Sequence, residues 1–167
     1  MRLSKNFILE EFTKSATATK HGIDNTPKGE HLQNLQFVVE KICQPVREFF
    51  GKPVSVNSGY RSPALNKAVG GSATSQHCNG EAVDIEINGI PNKVLADWIT
   101  ENCDYDQVIL EFYNPAEGAN SGWVHASVRR DGKNRKQKLI AFKDGKSTKY
   151  QAVDDFDPNN DYSKYKK

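Results

Sequence analysis

The sequence predicts an α+β fold in a single domain, and three observations carry that prediction. Apolar residues recur at helical spacing in some segments, they alternate with polar residues in others, and no linker or internal repeat divides the 167 residues. A chain of this length with 37% hydrophobic residues can bury a core without covalent staples.

The elements follow in order. Phe7, Ile8 and Phe12 form the apolar stripe of a short helix near 7–14, with Ser4 or Asn6 as its cap. Thr26-Pro27 reads as a cap followed by proline at the first helical position, opening a long helix through Leu32, Leu35, Val39, Ile42, Val46 and Phe49 to Gly51. Pro45 lies inside it, where a missing amide and a ring clash predict a kink or break. Val54 and Val56 alternate with polar neighbours, predicting a strand over 53–58. Ser62-Pro63 repeats the cap-plus-proline signal for a short helix to Val69, closed by Gly70-Gly71.

A second strand is predicted over 81–87, with Val83, Ile85 and Ile87 on its core face and Ala82, Asp84 and Glu86 on the other. Residues 91–102 read as a helix presenting Val94, Leu95, Trp98 and Ile99, followed by strands at 107–112 and 123–128. Asp131-Gly132 and Asp144-Gly145 bracket Leu139 to Phe142, predicting an antiparallel return strand after 123–128. Residues 154–167 are polar and read as an irregular tail behind a domain spanning 1–153.

Composition excludes several classes. Lys plus Arg number 23 against 21 Asp plus Glu, so the net charge of +2 gives no global basis for binding nucleic acid or an anionic membrane. Cys43, Cys78 and Cys103 are an odd number without framework spacing and read as free thiols in a reducing compartment. The N-terminus lacks the apolar core and cleavage site of a signal peptide, and no run is long enough to span a membrane. A soluble monomer is expected. The basic stretch from Arg129 to Lys138 reads as a solvated hairpin. Asp155, Asp157, Asn159 and Asp161 alternate like a calcium loop, but Asn160 replaces its glycine and Lys166 its bidentate glutamate.

Chemistry concentrates between Ser75 and Asp84. His77 stands in a Gly-containing turn and Asp84 on the strand that follows, so both can reach one cation. A third ligand must come from elsewhere, and His125 projects from its strand opposite the core-directed Val124, Ala126 and Val128. Each of these residues alone has an ordinary structural explanation. Cys78 adjoins a ligand but reads as a bystander, and His21 and His31 as surface residues.

The joint pattern Ser58-Gly59-Tyr60-Arg61-Ser62-Pro63, Asn66, Gly70-Gly71-Ser72, Ser75-x-His77-x-x-Gly80-x-Ala82-x-Asp84 and Trp123-Val124-His125 resembles the M15 peptidases. These are zinc D-alanyl-D-alanine carboxypeptidases and phage-type peptidoglycan endopeptidases, and the likeness is to the small phage-like branch. The resemblance implies a small α+β fold with a central antiparallel sheet, one zinc ion held by His77, Asp84 and His125, and peptidoglycan stem peptides as substrate. It also implies that Arg61 binds a substrate carboxylate or steadies an oxyanion, and that Ser75 orients the site.

Much of that family carries an acidic residue three positions before the last histidine, where this chain has Gly122. Glu111 is the replacement base expected here, because Gln107, Ile109 and Glu111 share one strand face; Glu81 and Glu117 are the alternatives. Trp123, on the same face as His125, is a candidate wall of the substrate groove or a packing residue. Absence of a signal peptide favours a phage-encoded enzyme acting on the cell wall. Gly122 motivates a second reading, a zinc-stabilised binding module without catalysis.

Overall fold

The computed structural model describes residues 1–159 and 162–166, which form helices packed on a six-stranded sheet together with a small hairpin. The hairpin occupies the N-terminus, where a helix was expected. β1 (Arg2–Ser4) pairs antiparallel with β2 (Phe7–Ile8), and α1 (Glu10–Thr13) starts only afterwards. The two residues expected to cap a helix are engaged elsewhere: Ser4 Oγ and the Asn6 amide both donate to Gln44 Oε1, at 2.6 and 3.0 Å. Phe7 and Phe12 still enter the core.

After α2 (Ala16–His21), the long helix begins later than the Thr26-Pro27 signal predicts. Asp24 accepts from the Thr26 amide in a local turn, and Gly29 at φ 56° breaks the helical path, so α3 runs Glu30–Val38. A π turn (Val39–Cys43) joins it to α4 (Gln44–Phe50). There the Gln44 amide bonds the Val39 carbonyl five residues back. This wider turn makes room for the ring of Pro45, which would collide with the carbonyl four residues earlier in a regular α-helix. The expected break is absorbed as a bulge.

The sheet comprises β3 (Ser55–Ser58), β4 (Ala82–Glu86), β5 (Gln107–Glu111), β6 (Trp123–Ser127), β7 (Gln137–Asp144) and β8 (Ser147–Ala152) in the order β3-β4-β6-β5-β7-β8. It is mixed rather than wholly antiparallel, because β7 pairs parallel with β5. The expected return strand exists and runs opposite to β6, but both edges of β6 are already taken by β4 and β5. It therefore docks on the free edge of β5, and a strand running opposite to β6 is necessarily parallel to β5. α5 (Pro63–Ala68) and α6 (Asn92–Asn102) complete the set, with Ser62 Oγ capping α5 as predicted.

One face of the sheet supplies Val83, Ile85, Val108, Leu110, Val124 and Ala126 to a core with Leu35, Ile42, Val46, Leu95 and Ile99. Each fully buried Val, Leu or Ile side chain among them contributes about 1.5–3 kcal/mol. Phe156 joins the same core, so the polar C-terminal segment is tethered there. The opposite strand face is free of this packing and carries the site. Asn160 and Asp161 of the calcium-like run lie outside the described residues.

Candidate metal centre

Three neighbouring strands bring the site together. Asp84 on β4 stands directly opposite His125 on β6, which stands opposite Ile109 on β5, so the three side chains share one row and one face. His77 arrives from a 3-10 turn (Gln76–Asn79) that precedes β4, its amide accepted by Ser75 Oγ at 3.3 Å. Gly80 closes that turn at φ 75°, where a Cβ would lie 2.3 Å from the His31 carbonyl of α3. Only glycine lets the turn sit this close to the helix.

His77, Asp84 and His125 are all buried, and their donor atoms lie within 4.8 Å of one another. His77 Nε2 is 3.3 Å from Asp84 Oδ2, and His125 Nδ1 is 3.1 Å from Asp84 Oδ1. Donors around a tetrahedral ion with bonds near 2.1 Å stand about 3.4 Å apart, so these separations fit a zinc-sized cation. The tautomer fits as well. His77 Nδ1 lies 2.7 Å from the Gly59 carbonyl, which accepts its proton and leaves Nε2 with a lone pair facing the other donors.

Electrostatics agree with a cation site. Burial alone would raise the Asp84 carboxyl, but the charges and hydrogen bonds of His77 and His125 hold it well below the usual carboxylate range. For His125 burial works downward and is outweighed by its hydrogen bond to Asp84 and the charges of Asp84 and Glu111, which raise it. Cys78 is outside the group of three.

The group opens on a cleft of about 480 Å³ that also takes in Arg61, Ser75, Glu111, Trp123, Arg135 and Tyr150. Glu111 lies opposite Trp123, one step diagonally from His125, a relation that places Cα atoms about 7–8 Å apart and within a glutamate's reach. The Trp123 indole donates to Glu111 Oε2. Burial, then the negative charge of Asp84, raise the Glu111 carboxyl above its ordinary value, against the pull of His125, Trp123 and Arg61. Glu81 and Glu117 do not line the cleft.

The absence of an acid at position 122 has a steric cause. Gly122 has φ 67°, and a Cβ there would fall 1.9 Å from the Glu111 carbonyl oxygen. No side chain fits while β5 and β6 keep this approach. Beside it, Phe112 holds φ 56° at the end of β5 and packs its ring 5.4 Å from that of Trp123.

Arg61 Nη2 donates to Ser75 Oγ at 3.3 Å; its Nε is buried without a partner, and no ion pair engages it among the described residues. It lines the same cleft as the His-Asp-His group. Arg135 was read as part of a solvated hairpin, yet it lines the cleft and pairs with the fully buried Asp106 at 2.7 Å. Asp106 also accepts from Gln76 Nε2 at 2.9 Å, linking this arginine to the turn that carries His77.

The family model for peptidase M15 matches residues 5–126, a span that contains Arg61, His77, Asp84, Glu111 and His125. The chain belongs to the M15 peptidase family. It follows that the chain is a hydrolase of the metallopeptidase kind, with peptides as its class of substrate. M15 peptidases are typically zinc-dependent, and the His-Asp-His group offers the donors such an ion takes. No curated protein matches the chain. No helix among the described residues is long and apolar enough to cross a membrane.

Arg135 and Tyr150 lie beyond the matched M15 segment, and sequence reasoning did not find them as cleft residues. Tyr150 sits in the run Ser-Thr-Lys-Tyr-Gln-Ala, which is almost wholly exposed and shows no apolar alternation to announce a strand.

Proposed function

We propose that this M15 peptidase is zinc-dependent and hydrolyses peptide bonds in the stem peptides of bacterial peptidoglycan. His77, Asp84 and His125 hold one zinc ion, Glu111 is the general base, and Arg61 binds a substrate carboxylate or the developing oxyanion. The observation that carries this reading is a buried His-Asp-His group and the Glu111 carboxylate opening on one cleft. A bound zinc ion would polarise the scissile carbonyl and lower the pKa of attacking water.

The chain's own residues supply the rest. Glu111, its carboxyl raised above the ordinary glutamate value by partial burial and the charge of Asp84, takes the proton of the attacking water and returns it to the leaving amine. Trp123 fixes one of its carboxylate oxygens through the indole N–H, leaving the other for the proton. Arg61, without a competing carboxylate, offers a planar donor pair to an anionic group of the substrate. Ser75 steadies both the arginine and the His77 turn. A phage-type endopeptidase and a D,D-carboxypeptidase use the same site chemistry, and their products tell them apart.

The test is mass spectrometry of purified muropeptides after incubation with zinc-reconstituted protein. Cleavage within the stem is expected, lost on chelation and restored by zinc, with the product masses naming the bond. Muropeptides left intact over a range of pH, while still bound by the protein, would instead establish the non-catalytic binding module that Gly122 motivates.

A further inference from the structure

The cleft has a bordering residue that the metal group and the base do not account for, Tyr150 of β8. Across the sheet Trp123, Glu111, Ala141 and Tyr150 stand opposite one another in turn, on β6, β5, β7 and β8, so all four side chains share a row and a face. This row runs beside the row that holds Asp84 and His125. Strands about 4.8 Å apart set Tyr150 roughly 10 Å from Glu111, with Ala141 between. Ala141 is buried and carries only a methyl group, so no large side chain of β7 stands in this row between Glu111 and Tyr150. The Tyr150 side chain borders the same cleft as Glu111 and the His-Asp-His group, while 57% of the residue remains exposed.

We propose that Tyr150 is a substrate-contacting residue, its phenol donating a hydrogen bond to the backbone of the bound peptide on the Glu111 side of the scissile bond. The proposal rests on the function argued above but concerns a residue outside the matched family segment. Three features support it. Tyr150 is the one aromatic of an otherwise polar edge strand, and it stays largely exposed while bordering the cleft. The phenol is held protonated, since burial of its inner edge and the negative charge of Glu111 both raise its pKa, so it remains a donor. Tyr150 stands two strands beyond Glu111, on the side away from β4 and β6, so a peptide held at the metal group reaches it only by extending across Glu111, and the contact falls on a part of the substrate that does not react.

A contact made equally in ground and transition states changes KM and leaves kcat alone. Tyr150→Phe keeps the ring and removes the donor. Expected is a KM for muropeptide cleavage raised about tenfold, with kcat within twofold and zinc content and Tm unchanged. A KM within twofold of the parent overturns the proposal, as does a loss confined to kcat. Binding of uncleaved muropeptide to zinc-loaded Glu111→Gln protein, with and without Tyr150→Phe, reads the same contact without turnover. A parent protein that binds but does not cleave removes only the peptidase reading, and a tenfold weaker Kd in the double variant still supports Tyr150. An unchanged Kd rejects the contact, and a parent that neither cleaves nor binds removes both.

Discussion

Glu111 and Gly122 act together at the scale of single residues. Position 122 is closed to any side chain by its φ and by the Glu111 carbonyl, and on the proposed reading Glu111 of the neighbouring strand supplies the carboxylate instead. Gly122→Glu is therefore expected not to restore activity to Glu111→Ala, and to lower the urea midpoint, because the new side chain forces β5 and β6 apart. Recovery of turnover in that double variant would show that the two positions are interchangeable. Since burial and Asp84 raise the Glu111 carboxyl, and the base must be ionised, kcat/KM should fall on the acid side at a pH above the ordinary glutamate value of about 4.3. A pH profile that stays flat down to that value contradicts the role. That His77, Asp84 and His125 come together was legible in the sequence, because a turn-strand unit fixes His77 and Asp84 locally and strand alternation fixes the face of His125. The steric reason for Gly122 was not, since it depends on a contact between two strands.

Between elements, Asp106 joins the turn bearing His77 to the loop that leads into β7. Fully buried, it accepts from Gln76 Nε2 and from the Arg135 side chain and amide. Burial works to raise its carboxyl, but the hydrogen bonds of Arg135 and Gln76 outweigh burial and lower it. A carboxylate whose folded pKa is depressed stabilises the fold fully above its unfolded value, about 3.9, and loses that contribution as pH falls through the folded value. Arg135→Ala leaves the buried carboxylate short of its cation and should cost about 2 kcal/mol at pH 7, below the usual figure for a broken buried pair because Arg135 is itself half-exposed. Urea denaturation at pH 7 and near pH 3 checks this: the difference from the parent should shrink at the lower pH, and a difference independent of pH would mean that packing, not charge, is lost. Elements with strong periodicity, such as α6 and β4, stand where the sequence put them within a residue or two. The N-terminal hairpin, the π turn and the parallel β5–β7 pair do not, because a glutamine forty residues away, a proline ring and an occupied strand edge decide them.

For the whole molecule, helices bury one face of the sheet and leave the other to the site, so Asp84 and His125 sit on strands anchored in a continuous core and His77 on the turn that precedes β4. The α+β class was legible from periodicity alone; the β7–β8 extension was only half so, since β8 is polar and exposed at the sheet edge. Zinc binding to the folded state alone should raise stability by about 4 kcal/mol at a thousandfold excess over Kd, which for a domain of this size is a Tm increase of roughly 8–16 °C. Calorimetry with zinc and with chelator should show that shift in the parent and none in His77→Ala; an equal shift in both would move the metal elsewhere.

The central claim is that Glu111 works on a peptide bond beside a metal held by His77, Asp84 and His125. It is tested most directly by digesting purified muropeptides with zinc-loaded parent and Glu111→Gln proteins side by side, with zinc content measured on both. The account predicts one zinc per chain in each, cleavage by the parent, and a rate at least about a hundredfold lower in the variant. Cleavage by Glu111→Gln at the parent's rate, or intact muropeptides with the zinc-loaded parent, would contradict it.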